Sequence, residues 1–201
     1  MVAALHDLHL LAANRNIHHC GMNRTICIGP YDPSWATRFQ SAADELLHLL
    51  GTQVLAIHHI GSTAVPGLVA KPTIDLLMEV RDLDALALYR SGFETLGYVW
   101  RGENGISGRC YFQRGKSTRT HHLHAYVAGH PEVARHLRFR DYLLAHPEAV
   151  EQYSRAKFEA RAASAGVAAA YQQHKSAVVE SIAASALRWS QANSRDCRPS
   201  N

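Results

Sequence analysis

The chain has 201 residues, 47% of them apolar and 19% charged, a balance that suits one globular domain with its own core and excludes a wholly disordered chain. Its formal charge of +4 favours anionic ligands, but the lysines and arginines are scattered among acids rather than gathered in a block, which argues against nucleic acid as a partner. No apolar run approaches the roughly 20 residues that span a bilayer, so a soluble, cytoplasmic protein is expected. Cys20, Cys27, Cys110 and Cys197 show no C-x-x-C pairing and read as free thiols of a reducing compartment.

Residues 1–21 carry a short apolar patch and four irregularly placed histidines, with neither the basic start nor the cleavage site of a signal peptide. Met22 stands directly before the patterned part, so residues 1–21 read as a flexible extension. "TICIG" is a short strand candidate, followed by the turn "PYDPSW". "PSWATRFQSAADELLHLLG" spaces Trp35, Phe39, Leu46, Leu47 and Leu50 near the helical period and stops at Gly51. "TQVLAIHHI" and "PTIDLLMEV" read as strands, and "LDALALYRSGFETLG" as a helix ending at Gly97. "YVWRG", "GRCYFQRG" and "TRTHHLHAYVAG" are three further strands. From Pro131 the chain turns helical in three stretches, and residues 191–201, polar and aperiodic, read as a flexible tail. The expectation is a single α+β domain over residues 22–190, with a mixed β-sheet core and a C-terminal helical layer.

The stretch "HIGSTAVPGLVAKPTIDLLMEV" carries the candidate chemistry. Gly61 and Ser62 close one strand, and a helical turn led by Ser62 and Thr63 can present backbone N–H groups to a phosphate. On the next strand Thr73, Asp75, Leu77 and Glu79 share one face, while Ile74, Leu76, Met78 and Val80 share the other and are assigned to the core. Asp75 then lies on the more polar face, near the Gly-Ser turn. A plain reading stays open here: a tight turn with a capping Ser, and an Asp bonded to nearby backbone.

With "YDPSW" before it and "GYVWRGENGISGRCYFQRG", "RTHHLHAYVAG" and "HLRFRDYLLAHPEAVEQYSRAK" after it, this stretch closely resembles the GrpB family over roughly residues 26–188. That family is grouped with the nucleotidyltransferase superfamily, whose mixed-sheet core holds nucleotide phosphates on a Gly-Ser turn and divalent metal on strand carboxylates. The resemblance implies that Gly61 and Ser62 seat phosphates and that Asp75 is the first metal carboxylate. Superfamily members place a second acid at the alternate strand position, about 6.6 Å away, where this chain has Leu77; Glu79 is about 13 Å along the strand. The substitute ligands are His122 and His124, on one strand face with His121 on the other. A mixed carboxylate and imidazole site admits Mg²⁺ or Mn²⁺, and also Zn²⁺. An ordinary hydrogen-bonded histidine pair is the alternative.

Lys71, Arg109, Arg140 and Lys175 are the cations that could hold a phosphate chain, Lys175 standing one helical turn after Tyr171. Each could equally be a surface ion pair. Glu103, in the glycine-flanked "GENGISGR", is a further acid expected in a mobile loop. The resemblance implies a metal-dependent nucleotidyltransferase that takes a nucleoside triphosphate and a small acceptor, with Lys71, Asp75, His122 and His124 at the reaction centre. Adenylylation of a carboxylate for amide formation is a variant of that chemistry. The contrasting expectation, raised by Leu77, is a catalytically inactive nucleotide-binding or regulatory module.

Overall fold

A computed structural model describes residues 27–116, 118–165 and 167–196. The expected extension, residues 1–21, and the last part of the expected tail, residues 197–201, lie outside the described residues. In chain order the elements are α1 (Ser34–Leu50), β1 (Val54–Ile60), β2 (Ile74–Val80), α2 (Arg90–Thr95), β3 (Tyr98–Trp100), β4 (Cys110–Arg114), β5 (His121–Val127), α3 (Pro131–Ala145), α4 (Pro147–Ala163) and α5 (Ala168–Asp196). This is the α+β architecture expected, a mixed sheet followed by a helical layer. Among the described residues no helix is long and apolar enough to cross a membrane.

Local chemistry sets the helix limits. Asp32 Oδ1 accepts the Ser34 N–H at 2.9 Å before the first turn of α1, and Gly51, at φ +53, closes the helix by giving its N–H to the Leu47 carbonyl. Pro131 and Pro147 open α3 and α4, where a missing N–H costs nothing. His146, pushed out of helical geometry by the proline that follows, separates the two.

The five strands lie in the order β1-β2-β5-β4-β3. β2 runs parallel to β5 and every other pairing is antiparallel. Parallel pairing sets Asp75 beside His122 and Leu77 beside His124. One sheet face, with Ile74, Leu76, Met78, Val80, Phe112 and Leu123, packs on Trp35, Ala42, Leu46 and Leu50 of α1 and on Phe93 of α2. The other face carries Asp75, His122, His124 and Tyr111, and is only partly apolar. There Ile60, Leu77 and Tyr126 pack against Val133 of α3, with Leu137 and Ile106 alongside. A third cluster seats the loop after the Gly-Ser turn, through Val65 and Leu68, on Leu143, Ala149, Tyr153 and Ile182 of the three last helices.

Several expectations are corrected. "TICIG" forms no strand among its described residues; Gly29 alone pairs, with Ala70, through two N–H to carbonyl bonds of 2.9 Å. The single helix read from "LDALALYRSGFETLG" is a 3-10 segment, Asp84–Tyr89, followed by the short α2. α5 continues through Asp196, into the stretch read as tail. β2 is also buried on both faces at its centre: Leu77 is 0% exposed, because α3 lies over the face that alternation had marked as polar.

Candidate functional site

The site lies where β2 and β5 begin and the helical layer leans over them. A cavity of about 310 Å³ is lined by Ser62, Lys71, Asp75, His122, Lys157 and Lys175, with Ile28, Thr73, Tyr171 and Gln172 completing its wall. The Gly-Ser turn is the 3-10 turn Ser62–Ala64, entered through Gly61 at φ +70. Glycine is required there twice over. L-residues rarely adopt that φ, and a Cβ would run into the Asp75 carboxylate. The turn is therefore packed directly on the acid that the sequence placed beside it.

Asp75 is 26% exposed at its side chain and accepts the His122 Nδ1–H at 3.0 Å. Burial alone would raise its pKa; the His122 hydrogen bond, with the nearby His122, His124 and His59, outweighs burial and lowers it, so the carboxylate stays ionised. An ionised carboxylate only accepts, which fixes the hydrogen on His122 Nδ1 and leaves a lone pair on Nε2. That Nε2 is buried and finds no partner among the described residues.

Lys157 is the residue the sequence reading missed. It is 2% exposed, its Nζ 2.5 Å from Ser62 Oγ and 2.7 Å from the Val69 carbonyl, above the Tyr153 ring at 4.3 Å. Burial, reinforced by Lys175, brings its pKa down to about 7. Lys175 repeats the arrangement over Tyr171 at 5.2 Å, and burial lowers its pKa as well. The signal was present in the sequence: Tyr153 and Lys157 have the same four-residue spacing as Tyr171 and Lys175.

Of the expected site residues, Ser62, Lys71, Asp75, His122 and Lys175 line one cavity, with Gly61 packed beneath. Three others do not line it. Arg109, 5% exposed, donates to the carbonyls of Glu103 and Asn104 at 2.8–3.0 Å and to His124 Nδ1 at 3.2 Å, and lies over Tyr111. It staples the 101–109 loop to β5, and Glu103 is spent inside that loop, accepting the Gly108 N–H at 2.7 Å. The loop is thus tethered, contrary to the mobile loop expected. Arg140 is tied to Asp141 and to the His59 carbonyl. His124 is corrected too. Its Nδ1 lone pair accepts from Arg109, so the uncharged ring carries its hydrogen on Nε2 and has no lone pair for a metal. Burial pushes its pKa down to about 3.

Among the described residues no three His, Cys, Asp or Glu side chains are grouped to hold a metal ion. Asp75 is what the cavity offers to one; the His122 Nε2, on the far side of the ring from Asp75, does not reach the same ion. A single carboxylate suits an ion such as Mg²⁺, which takes one or two carboxylates and completes its shell with substrate phosphates.

A mixed five-stranded sheet with a helical layer and a lysine-lined cavity at one strand end defines an α+β protein with a cationic cavity. The family model described as GrpB protein matches residues 25–185, and the chain belongs to the GrpB family. It is 40% identical over 174 residues to the UPF0157 protein YqkA of Bacillus subtilis strain 168, covering 87% of this chain and 51% of that protein, so the chain spans about half the length of that relative. The crystal structure of the conserved protein GrpB from Enterococcus faecalis superposes with a TM-score of 0.79 at 36% identity, covering 82% of this chain and 99% of that one. The dephospho-CoA kinase of Mycobacterium tuberculosis strain H37Rv is 30% identical over 167 residues, 71% of this chain and 41% of the kinase.

Proposed function

We propose that the cavity binds a nucleoside triphosphate through its phosphate chain, and that the protein transfers the nucleotidyl group to a small acceptor. The observation that carries this reading is the convergence of three lysines, Lys71, Lys157 and Lys175, on a cavity whose lining has one carboxylate, Asp75. Two of the lysines have pKa values lowered by burial, so an arriving polyanion would relieve the desolvation of their charges. Ser62 and the turn behind it offer the neutral part of a phosphate seat. The similarity to a dephospho-CoA kinase adds a nucleotide-related relative. Kinase activity does not carry over, because the match is 41% of that protein and this chain lacks a G-x-x-x-x-G-K-[ST] phosphate loop.

In this reading Asp75 would hold a divalent ion, which supplies charge neutralisation on the phosphate oxygens, and His122 would orient the carboxylate through its Nδ1–H. Lys71 and Lys175 offset charge on the leaving pyrophosphate. Asp75, kept ionised by His122, holds the His122 ring in one tautomer. Gly61 leaves room for the carboxylate to lie against the turn.

Burial of Leu77 favours a second reading, a nucleotide-binding or regulatory module without turnover, since the second metal carboxylate of the superfamily has no counterpart in that position. Pyrophosphate release from the four common nucleoside triphosphates, with Mg²⁺ or Mn²⁺ and a panel of hydroxyl, amine and carboxylate acceptors, separates the two. Release that needs both metal and acceptor supports transfer. Saturable binding with no release supports the module.

A further inference from the structure

Ser62 cannot both give its hydroxyl proton to Lys157 and give it to a phosphate. Its Oγ lies 2.5 Å from Lys157 Nζ, so the protonation state of that lysine decides what the serine does. A protonated Lys157 donates to Oγ and leaves the Ser62 proton free for a phosphate. A neutral Lys157 accepts that proton and leaves Oγ as a nucleophile.

The surroundings make the second state accessible near neutral pH. Lys157 is 2% exposed, and its hydrogen-bond partners, Ser62 Oγ and the Val69 carbonyl, are uncharged. The charged and titratable groups that face it are Tyr153 on its own helix, Lys175 and Tyr171 on α5, and Asp75 on β2, with Lys71 across the cavity. Burial disfavours the charged form, Lys175 opposes a second positive charge and Asp75 favours one; the balance brings the Lys157 pKa down to about 7, so both states are populated near neutral pH. The serine follows a glycine at φ +70, which turns it out of the strand end toward the cavity. The loop behind it is fixed to α4 a second time by Ser154, whose Oγ accepts the Val69 N–H at 3.4 Å.

We propose that Ser62 and Lys157 are a nucleophile and its base, and that nucleotidyl transfer at this site passes through a covalent ester on Ser62. The proposal rests on the nucleotide reading above. As Oγ attacks the α-phosphorus its proton passes to Lys157 Nζ, the Oγ–P bond forms, and the bond to the bridging oxygen breaks, so that pyrophosphate leaves with the electron pair. The acceptor then attacks the same phosphorus, Oγ departs as the leaving group, and Lys157 returns the proton to it. The proton lost overall is the acceptor's own.

The test uses the full chain. Incubation with each common nucleoside triphosphate and Mg²⁺ or Mn²⁺, without acceptor, is followed by intact-protein and peptide mass spectrometry, with calorimetric binding of the same nucleotides in parallel. A fluorophosphonate supplies a phosphorus electrophile independent of nucleotide recognition: its P–F bond breaks, fluoride leaves, and the serine proton again goes to Lys157. The expected result is one nucleotidyl group on Ser62, absent in Ser62→Ala. Fluorophosphonate labelling of Ser62 should rise with pH through the neutral range in the unmodified protein. Lys157→Arg is protonated throughout this range and cannot take the serine proton, and should label about 100-fold or more slowly. Nucleotide binding with no adduct and no labelling overturns the pair and leaves the binding reading standing. Labelling without a nucleotide adduct overturns the covalent ester, and absence of nucleotide binding overturns both readings. The pH profile of the unmodified protein decides the role of Lys157 even if its variants do not fold.

Discussion

The two faces of the sheet are made from the same strands yet obey different rules. The face under α1 and α2 is apolar at its centre, with Leu76, Met78, Phe112 and Leu123 0% exposed and His59, His121 and Arg114 at its margin, and a period of two in the sequence was enough to assign its part of β2. The opposite face mixes Asp75, His122, His124 and Tyr111 with a small apolar patch at Leu77, and its character comes from what folds over it. At one end α3 and the stapled 101–109 loop close it. At the other, α4 and α5 bring lysines rather than apolar side chains, and a cavity remains. Side-chain alternation specifies a face; the element that later covers it decides whether that face becomes core or site.

The contrast predicts that substitutions on the first face remove stability and those at the cavity remove function. Phe112→Ala should cost about 3–5 kcal/mol of stability, with nucleotide affinity of the folded fraction unchanged; urea unfolding and calorimetry on the same sample check both. Asp75→Asn should lower metal-dependent pyrophosphate release about 100-fold or more while shifting Tm little, because the amide can keep a bond to His122. A melting temperature that collapses with activity intact would erase the distinction. Leu77→Ala falls between, costing about 2–3 kcal/mol while leaving metal and nucleotide affinity in place. Loss of metal affinity in that variant would show that the closed end also belongs to the site.

A pH dependence of stability is shared by both faces. Burial lowers the pKa values of His59, His121 and His136 to about 4 and of His124 to about 3, against 6.5 when unburied. Between those values the unfolded chain binds more protons than the folded one, so stability is lost as pH falls from about 6.5 toward 4. His136→Gln should flatten that decline in a series of denaturant titrations.

The strands and helices that carry the site were largely legible, because each is specified by its own periodicity and caps. So was the Gly61 turn; the common face of Asp75 and His122 comes from the parallel pairing of β2 with β5, which alternation within each strand does not give. What escaped was set by distant chain segments. Ser62 and Lys157 are 95 residues apart, and no local pattern shows that α4 delivers its lysine to that turn. Arg109 and Arg140 looked like phosphate ligands by residue type, but nearby carbonyls and a neighbouring carboxylate claim their donors. His124 shares a strand face with His122, yet Arg109 takes the lone pair that a metal would need.

The central claim, that the lysine-lined cavity is a nucleotide phosphate site, is tested most directly by titrating ATP, GTP, CTP and UTP with Mg²⁺ into the protein and into Lys175→Ala in a calorimeter. The account predicts saturable one-to-one binding of at least one nucleotide, weakened about 10-fold or more in the variant, since a charge-assisted contact of this kind contributes about 1.5–3 kcal/mol. Four flat titrations, or binding that Lys175→Ala leaves untouched, would contradict it.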